Sequence, residues 1–140
     1  MNISFKKTNK DAITPTRGTI HSAGFDLYAL KECCIEPHKQ EIISTGIAIA
    51  CPIGEYGRIA TRSSLAKNML AVGGGVIDTD YGGEIFIIML NHSDTKYTVS
   101  KGDKIAQIIF EKCNIHGRMV EVNDLNTTDR GSDCFGSTGK

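Results

Sequence analysis

The sequence predicts an all-β protein, a jelly roll or distorted barrel of short strands. Three features carry that expectation: apolar runs with strand period, glycine and proline turn signals roughly every eight to twelve residues, and only one brief stretch of helical character. With 140 residues, 40% of them hydrophobic, the chain has enough apolar material for one domain with one modest core.

Taken in order, the elements read as follows. From Thr45 to Cys51, small residues (Gly46, Ala48, Ala50) alternate with larger apolar ones (Ile47, Ile49, Cys51), the period of a strand with two distinct faces. Ser63 to Leu70 opens with N-cap serines and continues with good helix formers, a helix of one or two turns. Glu84 to Leu90 is almost continuously apolar. Such a strand has its second face covered by another subunit, or is the buried central strand of a sandwich; its residues leave both open. Ile105 to Phe110 is a further strand, with Gln107 its single polar member.

From Asn123 to Lys140 only Leu125, Cys134 and Phe135 are clearly apolar. That segment buries too little surface to offset its ordering entropy, so the expected organisation is a body over 1–122 and a flexible C-terminal arm over 123–140. The arm could be an idle tail, yet its arginine, glycines, aromatic ring and hydroxyls suit the grip of a nucleotide phosphate.

Charge and cysteine usage narrow the partners. Sixteen basic residues balance sixteen acidic ones, so no overall field draws the protein to nucleic acid or a lipid surface. No apolar run approaches the roughly 20 residues of a membrane helix, and the N-terminal residues do not read as a secretory signal. Five cysteines, none spaced Cys-x-x-Cys, argue against a disulfide framework or zinc site and for a reduced, intracellular, soluble protein of cytoplasm or nucleus (of the host cell, if viral).

Two segments carry chemistry on their own terms. Arg62-Ser63-Ser64 at the start of the short helix offers main-chain N–H groups, hydroxyls and a guanidinium to an anion, though serine caps many helices. In Gly73-Gly74-Gly75-Val76-Ile77-Asp78-Thr79-Asp80-Tyr81-Gly82-Gly83-Glu84, the glycines allow close approach to the main chain. If that segment is extended, Asp78 and Asp80 share a side with Tyr81 opposite, and a partly desolvated Asp78 suits a general base. A plain turn between two strands accounts for the same residues. Gly131 to Thr138 nearly spells a P-loop, but serine occupies the lysine position and no strand-to-helix context surrounds it.

Five segments in fixed order, SAGFDLYA at 22–29, GRIATRSSLA at 57–66, GGGVIDTDYGGE at 73–84, GDKIAQIIF at 102–110 and RGSDCFGSTG at 130–139, resemble the five motifs of the trimeric deoxyuridine triphosphatase (dUTPase) family. With their connections, the likeness spans nearly the whole chain.

The resemblance implies a jelly-roll homotrimer whose shared active sites hydrolyse dUTP to dUMP and pyrophosphate with Mg2+. Asp78 matches the aspartate that orients and activates the attacking water. Tyr81 matches the tyrosine under deoxyribose, where a ribose 2′-hydroxyl would collide. Gly75, Val76 and Ile77 match the hairpin whose main chain pairs with uracil. Arg62, Ser63 and Ser64 match the phosphate-binding segment, and Gln107 a glutamine at the α-phosphate. Asp26 matches an acid linked through water to the magnesium shell and to the basic position occupied here by Lys104. In the arm, Arg130, Phe135, Gly136, Ser137 and Thr138 match the residues that close over uracil and the γ-phosphate.

The chain departs from the family pattern at Thr61 (usually proline), Ser64 (usually glycine), Gly82 (usually arginine) and Asp133-Cys134 (usually two glycines). The stretch between Ala66 and Val72 is one residue shorter. Two other functions fit less well: a weakly active nucleotide-binding regulator, and a relative of dCTP deaminases, against which the Asp78-x-x-Tyr81 hairpin argues.

Overall fold

The computed structural model describes residues 2–132. Asp133, Cys134, Phe135, Gly136, Ser137 and Thr138 lie outside the described residues. In chain order the elements are β1 (Phe5–Lys7), β2 (Phe25–Tyr28), β3 (Cys33–Ile35), β4 (Gln40–Ser44), β5 (Ile47–Ile49), β6 (Glu55–Ala60), α1 (Ser63–Ala66), β7 (Leu70–Gly73), β8 (Val76–Ile77), β9 (Phe86–Asn91), β10 (Tyr97–Val99) and β11 (Lys104–Lys112).

Every strand pairing is antiparallel. The strands form small sheets ordered β1-β5, β10-β3, β2-β11-β6-β8 and β4-β9-β7 around a single core. Leu27, Ile35, Ile85, Ile87 and Ile108 have no exposed surface. Each such side chain contributes on the order of 1.5–3 kcal/mol by leaving water. The expected all-β jelly roll with one short helix is therefore what the chain forms.

Three expectations are refined. The helix stops at Ala66 rather than Leu70. Met69 turns the chain at φ 60°, and Leu70, only 2% exposed, is drawn into the core as the first residue of β7. Packing of one leucine overrides the local helical preference. The strand expected over 45–51 is ordered as β5 alone, and its small and large residues are all buried, so alternation there does not separate two faces. Along this run Ile85, just before β9, and Ile87 and Met89 within it point into the core, whereas Phe86, Ile88 and Leu90 face outward. With the neighbouring Ile42 of β4, 64% exposed, they form an apolar outer face. One chain does not bury this strand on both sides.

Candidate active site

The glycine-rich segment becomes a hairpin-like bend between two sheets, in which β7 pairs with β9 and β8 with β6 rather than with each other. Gly74 and Gly75 follow β7 with φ of 65° and 94°, in the left-handed region that L side chains avoid. At Gly75 a Cβ would stand 2.8 Å from the Ile59 carbonyl oxygen, so only glycine passes. The Gly75 carbonyl accepts a hydrogen bond from the Ile59 N–H at 2.7 Å, and β8 continues antiparallel to β6 with Val76 opposite Arg58 and Ile77 opposite Gly57. Because β8 is the last strand of its sheet, the main-chain groups on its outer side face no further strand among the described residues.

Beyond β8 the chain turns. The Tyr81 N–H donates to the Asp78 carbonyl at 3.1 Å, and the Thr79 hydroxyl donates to the Glu55 carbonyl at 2.6 Å. The extended arrangement expected for Asp78, Asp80 and Tyr81 is therefore replaced by a tight turn. Asp78 stands exposed at its start in the single chain, not desolvated. Tyr81 is 41% exposed, and its hydroxyl donates to the Glu84 carbonyl at 2.7 Å.

A second cluster forms around Asp26 on β2. Its carboxylate, 16% exposed, takes Lys104 Nζ at 2.9 Å and Arg62 Nε at 3.1 Å. Arg62 also donates to the Lys104 carbonyl at 3.3 Å. Arg62 is the N-cap of the one-turn α1 with no side-chain cap, and Ser63 and Ser64 beside it are exposed. Gln107 lies directly across from Asp26 and, on its other side, from Ala60. A Cβ on Gly24 would stand 2.9 Å from Gln107 Oε1, so a bare glycine leaves this amide its place.

The pleat arranges these groups. In the register of β2, β11, β6 and β8, Asp26, Gln107, Ile109, Glu111, Tyr56, Arg58 and Val76 share one face, while Leu27, Ile59, Ile77 and Ile108 share the core face. On the outer face Arg58 Nε donates to Glu111 Oε1 at 2.8 Å, and the Tyr56 hydroxyl donates to Glu111 Oε2 at 2.7 Å. Hydrogen bonds from Arg58 and then Tyr56 hold the Glu111 carboxyl below its ordinary range. No local sequence pattern points to this network, because Glu111 lies 55 residues from Tyr56 and 53 from Arg58.

The strand order sets Asp26 and the hairpin at opposite edges of one sheet, three strand spacings or roughly 14 Å apart. The hairpin and the two cationic partners of Asp26 line separate recesses. Asp78, Thr79 and Asp80 share one of about 720 Å3 with Tyr56, Val76 and Cys113. Arg62, Ser64 and Lys104 border another of about 430 Å3. Arg130 lies in a turn near the end of the described residues, after a stretch from Cys113 that carries no strand or helix among those residues.

The donor set limits how a metal would be held. Among the described residues, no cluster of three or more His, Cys, Asp or Glu side chains is placed to cage an ion. Asp26 is a single carboxylate already paired with two cations. It retains lone pairs for a metal-bound water, so the site fits a magnesium ion that arrives with most of its ligands on a triphosphate.

A family model described as dUTPase matches residues 10–139. A deoxyuridine 5′-triphosphate nucleotidohydrolase of Debaryomyces hansenii is 44% identical over 134 residues, covering 94% of this chain and 84% of that protein. The Fowlpox virus protein of the same name is 45% identical, covering 98% of this chain and 97% of its own length. Among solved structures, the dUTPase of Staphylococcus bacteriophage 80alpha with dUPNHPP superposes with a TM-score of 0.92 at 24% identity, covering 99% of both chains. A mutant dUTPase from phage phi11 of S. aureus, described as coordinating a structural Mg(II) ion, has a TM-score of 0.84 at 20% identity, covering 91% of this chain and all of that one.

Proposed function

The chain is a member of the dUTPase family, and on that premise we infer that it hydrolyses dUTP to dUMP and pyrophosphate. One observation supports this reading above the others: a bend with two left-handed glycines that leads into the edge strand β8 and then a turn joining Asp78 to Tyr81.

The hairpin suits uracil for physical reasons. The outer main-chain groups of 75–77 can pair with the base as a complementary base would. A wall of main chain also leaves no space for thymine's methyl, whereas a merely apolar pocket discriminates a methyl by only ~1–3 kcal/mol. Tyr81 offers its open face to deoxyribose. Asp78 orients a water and accepts its proton as the oxygen attacks the α-phosphorus, in line with departing pyrophosphate. Gln107 binds the α-phosphate, and Arg62, Ser63 and Ser64 bind the triphosphate. Arg130, Phe135, Gly136, Ser137 and Thr138 of the arm close over base and γ-phosphate. Magnesium, when bound, neutralises triphosphate charge, with Asp26 reaching it through water. Positioning and charge neutralisation therefore supply most of the rate.

In our reading the site is shared in a homotrimer. The placement of Asp78 and Arg62 in separate recesses of one chain supports this, as does the apolar outer face bearing Ile42 and Phe86. Residues 1–122 form the body and 123–140 the arm that closes a site elsewhere in the trimer. No helix among the described residues is long and apolar enough to cross a membrane, and we assign the protein to the cell interior.

Pyrophosphate release measured side by side with dUTP, dTTP, dCTP and UTP tests the reading. Turnover confined to dUTP is expected. Ammonia release from dCTP, or binding of dUTP without turnover, would replace it.

A further inference from the structure

Glu84 follows the Asp78–Tyr81 turn, and no step of the reaction uses it. Its carboxylate accepts hydrogen bonds from the Ser44 hydroxyl, from the Gly46 N–H at 3.0 Å and from the Thr8 hydroxyl at 2.9 Å. These partners come from separate stretches of chain: Thr8 follows β1, Ser44 ends β4 and Gly46 precedes β5. The main-chain carbonyl of the same residue accepts the Tyr81 hydroxyl at 2.7 Å.

The ring of Tyr81 is thus held at its tip. The ring tip also passes close over Gly83, where a Cβ would stand 2.7 Å from the Tyr81 hydroxyl oxygen. Tyr81 is 41% exposed and borders a recess shared with Phe5, Lys6 and Ile49.

We propose that Glu84 is a positioning residue for sugar discrimination, acting through Tyr81. The carboxylate pins the main chain of residue 84 to three parts of the body. That fixes the carbonyl to which the tyrosine hydroxyl is anchored, and so the platform against which the sugar is gauged. A fixed ring rejects a ribose 2′-hydroxyl by contact; a ring free to swing yields to it. Glu84 itself touches no substrate. The inference rests on the reading of the chain as a dUTP hydrolase.

The test measures kcat and KM for dUTP and UTP in the full-length protein and in Glu84→Gln, Thr8→Val, Tyr81→Phe and the Glu84→Gln/Tyr81→Phe double variant. Glu84→Gln is expected to raise the UTP-to-dUTP ratio of kcat/KM about tenfold, the scale of one lost hydrogen bond to a charged group. The change is expected mainly in KM. Tyr81→Phe, which keeps the ring and loses the anchor, should give a rise of similar size, with no further rise in the double variant. Thr8→Val removes one bond of the three and should shift the ratio in the same direction by less; it decides the matter if Glu84→Gln does not fold. Unchanged ratios in folded Glu84→Gln and Thr8→Val, or full additivity with Tyr81→Phe, overturn the proposal. A wild-type protein inactive on dUTP overturns the functional reading instead.

Discussion

The Thr61 hydroxyl oxygen accepts a hydrogen bond from the main-chain N–H of Val72 at 2.9 Å. Thr61 immediately precedes Arg62, and Val72 lies in β7, which runs into the Gly74-Gly75 corner. One bond therefore ties the Arg62 segment to the hairpin. Proline, the usual residue at this position in the family pattern, could make no such bond. Thr61→Val keeps the shape and strands the N–H, at a cost of about 1–2 kcal/mol, while Thr61→Ser retains the acceptor. Denaturant unfolding should show a lower midpoint for the valine variant only; equal midpoints for both would contradict the role given to this bond.

Gly75→Ala should damage the hairpin directly. Its φ of 94° and the Ile59 carbonyl 2.8 Å from the new Cβ leave the side chain no place without a shift of backbone. A backbone forced from this conformation costs roughly 1–3 kcal/mol. The same shift misplaces the base-pairing edge, so kcat/KM for dUTP should fall at least about a hundredfold. An alanine variant with wild-type kcat/KM would remove the hairpin from the site.

Glu84 links the same hairpin to acid stability. Burial favours its neutral form, but the bonds from Ser44, Gly46 and Thr8 together outweigh burial and hold the carboxyl below its ordinary value of 4.5. A depressed folded-state pKa contributes stability that is present above the unfolded value and is lost as pH falls through the folded one. Unfolding free energy should thus decline below about pH 4.5, and the decline should be shallower in Glu84→Gln. Identical acid limbs in the two proteins would show that another carboxylate governs it.

Asn91 is a buried amide whose polar atoms are fully used. It donates to the Ile35 carbonyl at 3.0 Å and the Thr95 carbonyl at 2.8 Å, and accepts from the Ser93 N–H and hydroxyl. It locks the turn after β9 to β3. Asn91→Leu leaves those partners unsatisfied in an interior site and should destabilise by about 2–4 kcal/mol. A thermal midpoint within a degree or so of wild type would be the adverse result.

Much of this architecture was legible in the sequence because it is local. The glycine run that lets groups approach the main chain and the isoleucine-rich strand over 105–110 need no partner to be read. What escaped reading depends on distant contacts. Leu70 leaves the helix because β9 pairs with it, which no helix propensity anticipates. The Asp78-to-Tyr81 turn replaces an extended segment once Thr79 is tied to Glu55. Glu84 looked like the polar start of an apolar run, since its partners Ser44 and Thr8 lie 40 and 76 residues away. Likewise Asp26 and Gln107 become neighbours only through the register of β2 with β11.

In the reaction proposed for this chain, Asp78 activates the water. Asp78→Asn keeps the size and the turn but removes the proton acceptor, and single-turnover formation of dUMP measures the step directly. A fall of about 10²–10⁴-fold in rate, with dUTP binding little changed, is the expected result for loss of a general base. Formation of dUMP at the wild-type rate would remove Asp78 from that role.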